Sequence, residues 1–262
     1  MVSTQRKSYI LKTAQTDGFV SIPKTAKKFG VSIETIRRDI NELCQTHQLK
    51  KVHGGAAPIK FPIRKDSSFM TRLRQNQHSK LAICEEAVKM IHDGDVITMD
   101  GGATTAVLAS CIADVHNVCF VVNSLPIATI LLEKISNGEI TGKVIMIGGE
   151  LDAVNRTASD VIAATTIDKY HFDIAFVSCS SLSATGVSNS SLNGVFVRKL
   201  MDHASVSVLV VDSDKIGKNS VYQFAKPTDF DRIIIDNLIP CPAELEKELE
   251  ATGTQLTVVN CK

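Results

Sequence analysis

Val31-Ser32-Ile33-Glu34-Thr35-Ile36-Arg37-Arg38-Asp39-Ile40-Asn41-Glu42-Leu43, followed by Leu49-Lys50-Lys51-Val52 and closed by His53-Gly54-Gly55-Ala56, is the stretch that decides how this chain folds and what it touches. Ser32 stands at an N-cap position, ahead of an apolar-periodic run. Ile33, Ile36, Ile40 and Leu43 recur at helical spacing and predict one apolar stripe. Thr35, Arg38 and Glu42 then point away from it, with Arg37 on its flank. A short helix with one buried seam and an outward Thr/Arg face suits a DNA major groove, where arginine reads guanine edges or grips phosphate.

Working outward, Arg6 to about Gln15 predicts a first helix with apolar positions at Tyr9, Ile10 and Ala14, ending near Asp17-Gly18. A second helix follows, with Ser21 as N-cap, Pro23 in the first turn, Ile22, Ala26 and Phe29 on one face, and Gly30 ending it. Two short helices, a glycine turn and a third helix make a helix-turn-helix. Leu49-Lys50-Lys51-Val52 reads as a basic strand, and Gly54-Gly55 as a sharp turn. Together they predict a wing that lays Lys50, Lys51 and His53 along the DNA backbone.

The segment resembles the DNA-binding domain of the DeoR family of bacterial transcription regulators. That family's signature runs V-S-x-x-T-I-R-R-D and ends in H-G-G-A. Val31-Ser32, Thr35-Ile36-Arg37-Arg38-Asp39 and His53-Gly54-Gly55-Ala56 occupy the matching places, and the likeness covers roughly residues 5–58. The departure is Thr25, where the family usually carries a leucine in the second helix. The resemblance implies a winged helix-turn-helix in which Ser32, Thr35, Arg37, Arg38, Lys50, Lys51 and His53 meet double-stranded operator DNA.

Composition supports two parts. The 262 residues carry a net charge of +1, yet residues 1–80 hold 16 Lys or Arg against 5 Asp or Glu, and the remainder holds 13 against 23. A basic head on an acidic body is the footprint of a nucleic-acid-binding module joined to something else. The seven cysteines (Cys44, Cys84, Cys111, Cys119, Cys179, Cys241 and Cys261) form no C-x-x-C pair and read mostly as buried reduced thiols. No Cys/His cluster suggests zinc, so no metal is expected. No apolar run is long enough to span a membrane, and Arg6 and Lys7 are not followed by a signal-peptide core. A cytoplasmic protein without a membrane partner is expected.

Pro58-Ile59-Lys60-Phe61-Pro62 reads as an extended linker. The expected domains are a reader over 1–58, a linker and the start of a connecting helix over 59–75, and a sensor body over 76–262. A single long helix is expected from Phe69 to Ile91, anchored by Leu73, Leu81, Ile83, Ala87, Val88 and Ile91. Strand-like runs then occur at Val96–Met99, Val118–Val122, Val144–Ile147, Ile174–Val177, Val206–Val211, Arg232–Ile235 and Leu256–Val259. Helical stretches lie between them at Ala106–Ile112, Pro126–Lys134, Val195–His203 and Ala243–Ala251. Strands apolar on both faces that alternate with helices imply a parallel sheet covered on both sides. The fold class is therefore α/β: an N-terminal winged helix-turn-helix joined to a Rossmann-like parallel α/β domain.

Ligands of open parallel sheets sit beyond the strands' carboxyl ends. Those ends carry Asp100-Gly101-Gly102-Ala103-Thr104-Thr105, Asn123-Ser124, Gly148-Gly149-Glu150 and Asp212-Ser213-Asp214-Lys215. Glycines admit an anion to the backbone, helix N–H groups donate to it, and a lysine supplies charge. A phosphate-bearing ligand is the expected occupant. The body also resembles the DeoR sensor domain, related in fold to ribose-phosphate isomerases and coenzyme A transferases. The family's D-x-G-S/T-T-T motif matches Asp100, Gly102, Ala103, Thr104 and Thr105, with alanine replacing the small hydroxyl residue. Asn123, the Gly148-Gly149 pair, and Asp212 with Lys215 match further family positions. Arg72 and Lys80 match positions that are usually basic.

By that resemblance the effector is a phosphorylated sugar. Gly102, Thr104 and Thr105 would bind its phosphate, Asp100 would accept from its hydroxyls, and Lys215 would supply charge. Where the family shows a glycine-rich loop, this chain has Ser178-Cys179-Ser180-Ser181-Leu182-Ser183-Ala184-Thr185-Gly186, with Asn189 and Arg198 as candidates to compensate. The expectation is a DNA-binding transcriptional regulator with no cofactor and no catalytic residue. It would repress a sugar-metabolism operon as a homo-oligomer under control of a sugar phosphate. The alternative is a sugar-phosphate isomerase or transferase using Asp100, Glu150 or Asp212 as base.

Overall fold

A computed structural model describes residues 3–17, 19–46, 48–52, 54–58, 68–190, 193–218 and 220–261. The chain divides into two compact units, Met1–Lys65 and Asp66–Lys262.

In the first unit α1 (Ser3–Asp17), a short β1 (Val20–Ser21), α2 (Ile22–Phe29), α3 (Ile33–Gln45), β2 (Leu49–Val52) and β3 (Gly55–Pro58) follow in order. Ser21 caps α2 by accepting from Lys24 N, and Gly30 ends the helix in the left-handed conformation at φ 62°. The three strands form an antiparallel wing in the order β1-β3-β2. β1 is an addition to the sequence expectation: two residues long, it is too short to show a period. Ile10, Ala14, Val20, Ala26, Ile36, Ile40, Leu43, Leu49 and Ala56 make the core of this unit. Ile33 leaves the expected stripe and is 48% exposed. It is the first residue after the Ser32 cap, so its side chain hangs over the helix start, clear of the core. Asp39 takes a place in the interior instead, paired with Arg6. The proposed linker residues 59–62 lie outside the described residues.

The second unit opens with α4 (Phe69–Arg74) and α5 (Gln77–Ala87). The single long helix expected from Phe69 to Ile91 is therefore broken. Gln75 is extended, Asn76 is left-handed at φ 49°, and a short 3-10 turn over Val88–Met90 finishes the segment. Re-aiming the chain at Asn76 leaves Leu81, an expected anchor, 45% exposed. The elements that follow are β4 (Val96–Met99), α6 (Ala103–Cys111), β5 (Val118–Val122), α7 (Leu125–Ser136), β6 (Gly142–Met146), β7 (Leu151–Asp152) and β8 (Thr157–Ala158). Then come α8 (Val161–Ile167), β9 (Phe172–Val177), β10 (Ser181–Ser183), β11 (Gly186–Asn189), α9 (Gly194–Asp202) and β12 (Ala204–Val211). The unit closes with β13 (Tyr222–Ala225), β14 (Arg232–Asp236), α10 (Ala243–Thr252) and β15 (Gln255–Val259).

Seven of these strands form one sheet in the order β15-β14-β12-β9-β4-β5-β6, and all its pairings are parallel. Each corresponds to a run read from the sequence. The fold is Rossmann-like. Alternate residues go to opposite faces, as the pleat demands. Ile97, Met99, Phe120, Val208 and Val210 join one core with helices α5, α6 and α7. Leu209, Val211, Ile233 and Ile235 face Leu245 and Leu249 of α10, while Val121 and Phe172 meet Phe196 and Leu200 of α9. Strand order runs outward from β4 through β5 to β6, returns to β9 on the other flank of β4, and runs outward again. The reversal lies between β4 and β9, which is where an open sheet leaves a crevice.

Two antiparallel additions decorate this frame. β7 and β8 form a small hairpin, and β10, β11 and β13 form a three-stranded sheet. The serine-rich departure at Ser178–Gly186 is explained by the second. Its Leu182 and Cys179 are buried with Val187, Ile216 and Phe224, and Ser181 pairs with Ser188 across β10 and β11. The loop is part of a core. The cysteines are less buried than expected: Cys84 and Cys179 are fully enclosed, the other five are half-buried, and all seven are free thiols.

Candidate functional site

In the first unit the site is the exposed face of α3 and the strand beside it. Ser32 accepts from Thr35 N at 3.1 Å, and its hydroxyl lies 2.8 Å from that of Thr35. The signature Ser-x-x-Thr is thus first a capping device, fixing where the helix begins. Arg37 reaches back to Glu34 at 2.8 Å in an exposed pair, which water and salt weaken. Arg38 is exposed and has no hydrogen-bond or ion-pair partner among the described residues. Lys50 and Lys51 are both exposed on β2. Being consecutive on a strand they point to opposite faces. Lys51 lies toward α3, where its charge opposes the burial that raises the Cys44 thiol's pKa. His53 lies outside the described residues.

Asp39, between these arginines and the core, is no DNA ligand. It accepts from Arg6 Nε at 2.7 Å, Arg6 Nη2 at 3.3 Å and Ser3 Oγ at 3.1 Å, joining α1 to α3. That bond raises the Arg6 pKa above its ordinary value.

In the second unit the junction between β4 and β9 is built from Asp100 and Ser178, the residues just beyond the two strands. Asp100 is buried, and burial drives its pKa upward. Ser178 Oγ donates to it at 2.9 and 3.2 Å, Thr105 Oγ1 at 2.9 Å, and Gly102 N at 3.4 Å. Thr105 therefore orients the carboxylate, and Asp100 in turn ties the start of α6 to β9. Glycine lets these side chains approach: a Cβ on Gly102 would lie 1.9 Å from Ser178 Oγ, and one on Gly101 would lie 2.0 Å from Thr157 Cγ2, so either side chain would have to be displaced. Ala103 and Thr104 begin α6 and are buried. Asn123, beyond β5, donates from Nδ2 to Ala158 O at 2.7 Å and so holds the β7–β8 hairpin.

Among the described residues six buried side-chain polar atoms have no partner, and five belong to this end of the sheet or to the segments covering it. They are the Thr104, Ser124, Thr157 and Ser181 hydroxyls and Asn123 Oδ1. Such groups are costly to leave unpaired, and their concentration marks a polar region at the strand ends. Gly148 and Gly149, beyond β6, are exposed, and Gly149 at φ 144° packs against Asp160.

The positive charge comes from two lysines. Lys215 lies in a 3-10 turn beyond β12, with Nζ 3.4 Å from Oδ2 of the buried Asp212. Lys80 on α5 is buried, and its Nζ donates to Arg72 O at 2.6 Å and to Gln75 O. Burial lowers the Lys80 pKa to about 8, against the pull of Asp212 and with the push of Lys215. The fields of Lys215, Asp212 and Asp100 all act on Cys179, whose thiol burial pushes up to about 12, so these groups share one neighbourhood. Asn76 closes the set, donating from Nδ2 to Asp212 Oδ1 at 3.0 Å and to Asp214 Oδ2 at 2.8 Å.

Arg198 and Asn189 are not available to a ligand in the way the sequence suggested. Arg198 is held by Asp202 at 2.8 Å and Asp229 at 2.6 Å, and Asn189 Oδ1 accepts from Ser180 N at 3.2 Å. Among the described residues no group of three or more metal-ligating side chains is assembled.

Both units match known family models. The DeoR-like helix-turn-helix domain covers residues 6–60, and the DeoR C terminal sensor domain covers residues 75–237. The chain belongs to the DeoR family. Among curated relatives of this DeoR-family chain is an uncharacterized HTH-type transcriptional regulator, YgbI, of Escherichia coli, 31% identical over 92% of each chain. The transcriptional repressor AccR of Agrobacterium fabrum is 29% identical over 90% of each. The L-fucose operon activator of Haemophilus influenzae is 30% identical over 90% of this chain and 92% of its own.

The DeoR-family chain is thus a DNA-binding transcriptional regulator and not an enzyme. No helix among the described residues is long and apolar enough to cross a membrane. Sequence reasoning did not include Ser178, Lys80 or Asn76 among the site residues. Ser178 stood in the loop that departs from the family, and Lys80 stood at a matching basic position. Asn76 gave no signal, because its left-handed turn interrupts a pattern that reads as continuous helix.

Proposed function

We propose that this DeoR-family regulator represses a sugar-metabolism operon, and that a phosphorylated sugar in the β4–β9 crevice controls it. The observation that carries this reading is a glycine-bearing helix N-terminus at the sheet's reversal point and, beyond the end of the neighbouring β12, two lysines in the field of Asp212. The first turn of α6, which follows Gly102, presents its helix N-terminus to an anion. Lys215 supplies charge, and Lys80 adds a second cation beside Asp212. Thr104 and Asn123 bring polar atoms that lack partners among the described residues, suited to sugar hydroxyls. Gly148 and Gly149 lie further along the rim and border the ligand. Asp100 and Thr105 act by holding the crevice together. The name of the fucose operon activator supports control of an operon, and that of the transcriptional repressor AccR supports repression.

On the DNA side Arg38 reads base edges, Ser32 and Thr35 set the helix start against the backbone, and Arg37, Lys50, Lys51 and His53 neutralise phosphates. One small head makes few base contacts, so two or more copies bind a symmetric operator together in the cytoplasm. Effector binding shifts the population between arrangements of these copies. The test is a thermal-shift screen of the full chain against phosphorylated pentoses and hexoses and their dephosphorylated counterparts. A stabilisation confined to phosphorylated compounds, together with release of operator DNA by the same compounds, is the expected result. Equal stabilisation by the free sugars would sink phosphate recognition.

A further inference from the structure

The segment by which the chain enters the sensor unit is fastened to the crevice at several points. α4 is the first described element after residue 67, and α5 follows it across the Gln75-Asn76 break. At the end of α4, Arg72 O accepts from Gln75 N at 3.3 Å, and Lys80 on the next helix adds a side-chain donor, its Nζ reaching both Arg72 O and Gln75 O. Asn76, at the break itself, spends both amide hydrogens on Asp212 and Asp214. Asp212 Oδ2 faces Lys215. At the start of α4, Phe69 N donates to Val154 O at 3.2 Å, and from its last turn Arg72 Nη2 donates to Asn155 Oδ1 at 2.8 Å, both acceptors lying in the turn of the β7–β8 hairpin.

Asp212 is therefore a shared anchor. One oxygen receives Asn76 and the other faces Lys215, while its charge acts on Lys80. We propose that Asn76 and Lys80 are positioning residues that transmit the charge state of the Asp212–Lys215 pair to α4, the element joined through the linker to the DNA reader. Asp212 is nearly sealed from solvent, so changes in its few partners are poorly screened by water. An anion that draws Lys215 off Asp212 leaves the carboxylate to pull on Lys80. Lys80 then leaves Arg72 O and Gln75 O, and the last turn of α4 loses the side-chain donor that ties it to α5. Asn76 keeps the break in register with Asp212, so without its amide the pull is not delivered. The link to gene control rests on the sugar-phosphate reading above, whereas the coupling itself is a property of the protein alone.

Hydrogen exchange on the full chain separates the two. Lys215→Ala imitates the withdrawal of the lysine from Asp212 and is expected to speed amide exchange over residues 69–75 by about fivefold. Asn76→Gly tolerates the left-handed backbone and removes only the amide. In that background Lys215→Ala is expected to change the same amides by less than about twofold. Asp214→Ala, at an exposed position, removes one of the two Asn76 partners and serves if Asn76→Gly fails to fold. There the Lys215→Ala effect is expected to fall below about threefold. No acceleration by Lys215→Ala, or the same acceleration in every background, overturns the proposal. Ribose 5-phosphate, fructose 1-phosphate and galactose 6-phosphate are then added to wild type and to Asn76→Gly. A compound that stabilises wild type is expected to speed α4 exchange in wild type alone, and equal acceleration in the variant also overturns the coupling. If no phosphorylated sugar stabilises wild type, the effector reading fails, and the ligand-free comparison still decides the transmission.

Discussion

Ser178 Oγ, at the end of β9, lies 2.9 Å from Asp100 Oδ2, at the end of β4, and so bridges the two strands between which the sheet order reverses. Gly102 is the residue that makes room for this bond, since an added Cβ would sit 1.9 Å from the hydroxyl. Gly102→Ala is expected to push the serine away and leave the buried carboxylate short of a donor, at about 2 kcal/mol. Ser178→Gly removes both the donor and the obstacle. The double variant is therefore expected to be more stable than the sum of the single effects by at least ~1 kcal/mol. Urea unfolding of the sensor unit within the full chain measures it, and strictly additive losses would show that the two residues do not meet.

In the reader, Asp39 belongs to the signature yet serves stability. Asp39→Ala removes the acceptor of a two-point contact with the Arg6 guanidinium that joins α1 to α3. Taking one partner from a buried pair costs more than the pair was worth. The melting temperature of the reader is expected to drop by roughly 5–10 °C while the sensor transition stays in place. Calorimetry on the full chain reads both, and an unchanged first transition would remove Asp39 from this role.

Arg38 and its neighbours separate by partner. Arg38→Ala is expected to weaken operator binding by about 10–100-fold and to relax base preference at one position, with stability unchanged. Arg37→Ala costs less, because Glu34 already shares that guanidinium. Lys50→Ala is expected to weaken all duplexes alike and to reduce the slope of log affinity against log salt by about 1. Titrations at several salt concentrations against operator and random duplex check all three. Equal loss on both duplexes for Arg38→Ala would reassign it to the phosphate backbone.

How much of this was legible in the sequence follows from the range of each interaction. The seven parallel strands could be read because burial on both faces writes a continuous apolar run, as in Val206–Val211. The caps at Ser21 and Ser32 could be read because a cap is a local device. The bond between Asp100 and Ser178 spans residues far apart in the chain, and no spacing rule joins them. The role of Asp39 was hidden for the same reason, since its partner is Arg6 on another helix. The β7–β8 hairpin and β1 have two-residue strands, shorter than any periodicity. Asn76 is the sharpest case: the apolar positions on either side keep helical spacing, and contacts with the distant Asp212 and Asp214 hold the left-handed break.

Lys80 gives a test by pH. Its amine is buried, and burial holds its pKa at about 8 in the folded chain, below the 10.5 of an unperturbed lysine. Between those values the unfolded chain binds a proton that the folded chain has released, so this group's contribution to stability increases as pH rises across the interval. Lys80→Met abolishes the titration. The stability difference between wild type and Lys80→Met is therefore expected to move in favour of wild type from pH 7.5 to 9.5, as read by urea unfolding. An anion beside Lys80 has the opposite preference, because it favours the charged amine. Affinity for a phosphorylated sugar is then expected to fall as pH climbs through about 8, after the phosphate itself is fully ionised, and Lys80→Met is expected to flatten that fall. A stability difference independent of pH would mean that Lys80 keeps its proton throughout, held by Asp212 more firmly than burial expels it.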